Sequence, residues 1–300
     1  MIPDNRLTKP TRTNRFYRLH RVADRLRWFT KNDKILYPSV VISVIMVVSV
    51  LGPYISPFDP TATHPTETYL APNAKYLFGT DHIGRDLLSR VLIGGRSTLL
   101  LGVGSTALAM TFGVPIGLLA GIKGGYIDEA IMRVMDVIMS FPTLLLALIL
   151  LTSLPSNVWT AMLAVGVVFI PKISRVVRSS TLEVKNEEYV EAARVRGESD
   201  GYIMFYEVLP NIIPPIAVES TIRVGYAIII GASLSFLGLG AQPPAPDWGY
   251  MIAQSQNHIW QTPWFLIWPA LFLGLTIFSF NVLGDGLRDE LDPKVTGDQV

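Results

Sequence analysis

Residues 98–122 read TLLLGVGSTALAMTFGVPIGLLAGI, a run of 25 residues without a charged side chain. As a helix it would extend about 37 Å, more than the roughly 30 Å of a bilayer's hydrocarbon core. A backbone in lipid must satisfy its own hydrogen bonds, and the run is too long and too uniformly apolar for a barrel strand. It therefore reads as a membrane helix. The same property recurs on either side, at Leu36 to Ile55, Val134 to Leu154, Val158 to Val177, Pro214 to Leu239 and Trp264 to Leu283. The expectation is an all-α, polytopic membrane protein with six transmembrane helices. Composition agrees: hydrophobic residues make up 50%, charged residues 16%, and mean hydropathy is +0.39. These values lie well outside the soluble globular average.

Charge sets the expected topology. The first 37 residues carry ten Lys or Arg against three Asp, before any apolar run begins. Basic flanks stay on the cytoplasmic side, so residues 1–35 read as a cytoplasmic basic arm touching anionic lipid rather than nucleic acid. An even number of spans returns the 295–300 tail to the same side. The membrane domain is then 36–294, with external loops at 56–97 and 240–263 and a cytoplasmic loop at 178–211. Lys123, Arg133, Lys172, Arg175 and Arg178 are counted among the cytoplasmic charges, whereas Lys75, Arg85, Arg90 and Arg96 run against the rule. Trp159, Trp248, Trp260, Trp264 and Trp268 fall near external helix ends and read as interfacial anchors. Gly113, Gly117, Gly121 and Gly125 recur every four residues and predict a close helix seam. Pro115, Pro142, Pro171 and Pro269 permit bends.

The polar interruption at 178–211 has the pattern of a docking elbow. Residues 181–196 contain neither Gly nor Pro and predict one helix, with Tyr189, Ala192, Ala193 and Arg196 on neighbouring positions of one face. Gly197 stops that helix, Ser199 is placed to cap a second short one, and Asp200 suits its positive N-terminal end. Pro210 closes the second helix, and Pro214 and Pro215 open the next span. An ordinary amphipathic connector would have the same local features.

Catalytic chemistry is not visible. There is no Gly-x-x-x-x-Gly-Lys-Ser/Thr loop, no His-Glu-x-x-His, no Gly-x-Ser-x-Gly and no cysteine, and the four histidines are scattered. The chain is expected to be no enzyme and to bind no cofactor or metal. Two ionisable residues remain inside an apolar run, Glu219 and Arg223, four apart and so on one helical face. Charges at that depth either neutralise one another or line a wet path.

Glu191-Ala192-Ala193, Gly197 and Leu209-Pro210 together resemble the EAA loop of the integral subunits of binding-protein-dependent ABC importers. Glu207 stands where that pattern usually has Ile. Phe78-Gly79-Thr80-Asp81 with Gly84-Arg85-Asp86 and Ser89-Arg90, then Met132-Arg133, Asp136 and Phe141-Pro142, extend the likeness. So do the run from Ala232 to Gly240, Gln242-Pro243-Pro244, Asp247-Trp248-Gly249, the run from Leu283 to Asp289 and Leu291-Asp292-Pro293. The set resembles the second permease of dipeptide, oligopeptide, glutathione and nickel importers, over about Pro72 to Lys294. The resemblance implies a type I importer permease in a prokaryotic cytoplasmic membrane. It also implies a homologous second permease, two ATP-binding subunits that hold ATP and Mg, and an external solute-binding protein. Glu191, Ala192, Ala193, Gly197, Ser199, Asp200, Leu209 and Pro210 would couple to the ATPase, and Glu219 and Arg223 would line the path. Small peptides are the expected cargo, with glutathione or a nickel chelate as the alternative. An ion-coupled carrier acting alone would need intramembrane acidic relays, usually with repeats, and only Glu219 offers one.

Overall fold

The computed structural model describes residues 32–291, so most of the basic arm, including Trp28, and the 295–300 tail lie outside the described residues. The helices are α1 (Asp33–Ile55), α2 (Leu87–Lys123), α3 (Gly125–Met139), α4 (Thr143–Leu151), α5 (Val158–Val184), α6 (Glu188–Val195), α7 (Asp200–Tyr202), α8 (Ile213–Phe236), α9 (Trp248–Ser255) and α10 (Trp264–Leu291). Among the described residues the only β-type pairing is an isolated bridge between Thr80 and Asp86. Helices α1, α2, α5, α8 and α10 are long and apolar enough to cross a membrane, and α3 with α4 forms a pair bent by 86°.

That bend corrects the continuous span expected at 134–154. Pro142 has no N–H to continue the helix and its ring disfavours helical geometry in the residue before it, so the chain turns at 140–142 and restarts at Thr143. Pro115, Pro171 and Pro269 instead lie within continuous helices. The loop expected at 56–97 is shorter, because Asp86 caps α2 by accepting the Ser89 N–H at 2.8 Å and starts it at Leu87. Likewise 240–263 contains α9, capped by Asp247 through the Tyr250 N–H at 3.0 Å. The loop expected at 178–211 starts later, after α5 ends at Val184. Lys172 and Arg175, counted among loop charges, sit inside α5.

Helices α2 and α5 meet along the predicted glycine seam. A Cβ on Gly113 would come within 2.9 Å of Ile173, on Gly117 within 2.5 Å of the Ser174 carbonyl oxygen, and on Gly121 within 2.5 Å of Thr181. Bare backbone at these three positions lets the helices touch. Gly125 does not join them: nothing lies within 4 Å of it, and it begins α3. Around this seam Leu101, Leu118, Phe169, Ile173 and Val177 build one core with residues of α8. A second core joins α1, α2, α8, α9 and α10 around Trp248. That tryptophan is 1% exposed and donates its indole N–H to the Val91 carbonyl at 2.8 Å, so it is a core residue and not an interfacial anchor. Trp159 and Trp260 are exposed.

At one end, residues 56–86 fold into a cap over the bundle. Asp81 is its centre, fully buried, accepting from the Ile83 and Arg85 backbone N–H groups and from Arg85 Nε at 2.6 Å. Arg90 is buried beneath it and donates to the Pro60 carbonyl at 2.9 Å. Lys75 pairs with Glu67 at 2.5 Å. Lys75, Arg85 and Arg90, three of the four cations that ran against the charge rule, thus have partners inside the cap. The cap closes onto the α9–α10 connection where His82 stacks on His258, ring centroids 4.8 Å apart and planes 6° from parallel. Tyr69 Oη lies 3.2 Å from His258 Nδ1.

Burial pushes the His82 imidazole below its ordinary 6.5, and His258, Arg85 and Arg90 push it the same way against the pull of Asp81. The folded state therefore prefers the neutral ring. The stability this supplies is present above pH 6.5 and is lost as pH falls through the lower folded-state value. Thermal midpoints measured from about pH 7 down to about pH 5 should fall, and His82→Phe should flatten that part of the slope.

Candidate functional site

The elbow lies at the end of the bundle opposite the cap. The single helix expected over 181–196 is split, with α5 ending at Val184, the chain turning at 185–187 and α6 starting at Glu188. Propensity alone would continue the helix. The redirection instead lets Val190 and Ala193 enter the α2–α5–α8 core, both fully buried. Glu188 and Glu191 stand in the first turn of α6 and Arg194 in its last, each on the favourable side of the helix dipole. The face predicted for docking is consequently divided: Tyr189, Ala192 and Arg196 are exposed, whereas Ala193 is buried.

Gly197 ends α6 as expected. Its φ is +82°, its N–H donates to the Arg194 carbonyl at 2.9 Å, and the Glu198 N–H reaches the Ala193 carbonyl at 3.2 Å. This paired closure satisfies two terminal carbonyls and needs a left-handed residue at the position after the cap. Ser199 then caps the next turn, its Oγ accepting the Tyr202 N–H at 3.3 Å. Asp200 pairs with Lys123 at the end of α2, a solvent-exposed contact worth at most about 1 kcal/mol.

From Ile203 to Val208 the chain widens into a π-helical turn, and Leu209–Asn211 form a single 3-10 turn before α8, with Pro214 in its first turn. Ile203, Met204, Val208 and Ile212 are buried in the same core as Val190 and Ala193, Leu209 is half-buried against it, and Pro210 is exposed. Glu207 has a different use from the isoleucine it replaces. Its carboxylate accepts from Arg196 Nη2 at 3.0 Å and so bridges the two halves of the elbow. Tyr202 and Tyr206 stack on the outer surface at 5.0 Å.

Glu219 and Arg223 pair within α8, both mostly buried, and they are not part of the elbow surface. Glu219 reaches a groove shared with Ser180, Asn211, Ile212 and Arg288, whereas the Arg223 guanidinium lies over the rings of Phe169 at 5.9 Å and Tyr226 at 5.5 Å. Sequence reading missed the charges that α5 carries near this pair and toward α3. Arg175 binds Asp136 at 2.5 Å, Arg178 binds Asp128 through two nitrogens, and Lys172 points toward the Phe169 ring at 5.3 Å. The signal was available in the spacing of Phe169, Lys172 and Val176, three and four residues apart and so on one side of a helix that also carries Arg175. Among the described residues no cluster of metal-ligating side chains occurs.

Residues 113–297 match the family described as the binding-protein-dependent transport system inner membrane component. A probable D,D-dipeptide transport system permease protein of Escherichia coli strain K12 is 39% identical over 92% of this chain and 93% of its own length. The dipeptide transport system permease protein of Alkalihalophilus pseudofirmus is 37% identical over 88% and 87%. A glutathione transport system permease protein of Escherichia coli O6 is 38% identical over 90% of each chain. Among solved structures, an inward-facing form of the MetNI methionine ABC transporter superposes with a TM-score of 0.57 at 19% identity, covering 68% of this chain and 97% of that one. That likeness concerns the fold. With the family matched across more than half of the sequence and relatives aligned nearly end to end, this chain belongs to the binding-protein-dependent transport system inner membrane components, the permease subunits of ABC importers.

Proposed function

We propose that the chain is one of two homologous permease subunits of an ATP-driven importer for small peptides, working with two ATP-binding subunits and an external solute-binding protein. The observation that carries this reading is the elbow itself. Glu191, Ala192, Ser199 and Asp200 are exposed on a projection whose inner face is packed into the membrane-helix core. Such a projection suits a surface that receives force, and the chain has no nucleotide-binding loop of its own to generate that force. The elbow end is assigned to the cytoplasm together with both termini, and the cap end to the exterior, where it can meet the loaded binding protein. ATP and Mg belong to the partner subunits. Closure of the ATPase pair would draw the elbows together and turn the membrane halves outward, an alternating-access cycle in which nucleotide binding supplies the energy.

Peptides rather than nickel are the preferred cargo because the related permeases carry dipeptide and glutathione names. The test is reconstitution of the chain with its neighbouring permease, ATPase and binding-protein partners in proteoliposomes. ATP-dependent accumulation of dipeptide, absent when this subunit is omitted, is the expected result. Accumulation by this chain alone without ATP would replace the importer with a secondary carrier.

A further inference from the structure

Between α3, α5 and α8 lies a pocket of about 420 Å³ lined by Met139, Lys172, Arg175, Val176, Arg223 and Tyr226. Its volume falls within the range of small-molecule sites. Lys172 stands about 21 Å along α5 from Val158, at a depth where an uncompensated charge is expensive. The neighbouring cations have carboxylates: Arg175 has Asp136, and Arg223 has Glu219. Lys172 forms no ion pair among the described residues. Its one hydrogen bond goes to Thr143 Oγ1 at 3.2 Å, and the Phe169 ring lies beneath the ammonium at 5.3 Å. Three cations against two carboxylates leave the pocket one positive charge in excess, and two of the ammonium N–H donors are unused. The aromatic faces of Phe169 and Tyr226 hold the cations without neutralising them.

We propose that Lys172, flanked by Arg175 and Arg223, is an anion subsite that takes the terminal carboxylate of the peptide during passage, an inference that rests on the import function proposed above. One carboxylate balances the excess charge and accepts from the open ammonium donors. An intramembrane cation in a pocket of this kind favours substrates with a free carboxylate over those without one.

The test uses the assembled transporter in proteoliposomes with the binding protein saturated by either dialanine or dialanine amide, which differ in that carboxylate. Wild type is expected to move the free acid faster than the amide. Lys172→Gln should reduce that ratio by about tenfold, the loss of one charge-assisted hydrogen bond, whereas Lys172→Arg should retain it. An unchanged ratio in Lys172→Gln overturns the subsite while leaving peptide import intact. Failure of Lys172→Gln, but not of Lys172→Arg, to assemble with the second permease also overturns it, since the cation would then be pairing with a carboxylate of that subunit. A wild-type complex that assembles and hydrolyses ATP but accumulates neither compound removes the import function, and the subsite with it.

Discussion

Gly197→Pro is expected to lower peptide uptake by at least about a hundredfold while the assembled transporter continues to hydrolyse ATP, from a backbone cost of about 3 kcal/mol converted at 1.4 kcal/mol per factor of ten. Space is not the reason, because nothing lies within 4 Å of a Cβ at this position. The conflict is in the backbone. Gly197 has φ +82°, which the proline ring cannot adopt, and proline would also remove the N–H that donates to Arg194. The closure between α6 and α7 would open, and Glu191 and Ala192 would no longer hold their orientation to Ser199 and Asp200. Gly197→Asn is the informative companion, since asparagine tolerates left-handed geometry and should keep most of the uptake. Parallel measurement of ATP hydrolysis and uptake separates uncoupling from misassembly. Normal uptake by the proline variant would remove the elbow from the coupling path.

The largest effect on stability is expected at the seam. Gly117→Val places a Cβ 2.5 Å from the Ser174 carbonyl oxygen and 2.7 Å from the Val177 Cβ. A carbonyl in a helix cannot move aside as a flexible side-chain end can, so α2 and α5 must separate along their contact. Overpacking of this kind costs about 3 kcal/mol, and the parted helices lose dispersion contacts as well. Gly274→Val in α10, where nothing lies within 4 Å, is the control and should shift stability by less than about 0.5 kcal/mol. Thermal or denaturant unfolding of the purified subunit in detergent checks both. Equal midpoints for the two variants would show that the seam is not under compressive contact.

Features governed by nearest neighbours were legible in the sequence. The apolar runs other than 134–154, the glycine spacing at 113, 117 and 121, the left-handed stop at Gly197, the Ser199 cap and the proline opening of α8 all follow from local rules, and the fold has each of them. What escaped was decided by contacts distant in sequence. Helix α5 ends at Val184 because Val190 and Ala193 have a core to enter, which no property of residues 181–196 reveals. Trp248 has the composition of an interfacial anchor, yet it is buried because the Val91 carbonyl and the α10 aromatics lie around it. A tally of basic residues groups Lys172 with loop charges because it records number and not direction, and direction makes it a pocket residue. Glu207 departs from the apolar residue of the family pattern, and only Arg196, eleven residues earlier, explains how the elbow accommodates it.

Val190, Ala193, Ile203, Met204 and Val208 share one core with Leu101, Phe169 and Val177, so the projection and the bundle are packed as one body. In engineering terms the projection is the short end of a lever. Its long arm is α5, 27 residues or about 40 Å, so a tilt of about 10° imposed at the elbow displaces the far end by about 7 Å. Under the importer function proposed above, a small stroke by an ATPase docked at the elbow would then suffice to open or shut a path at the opposite surface.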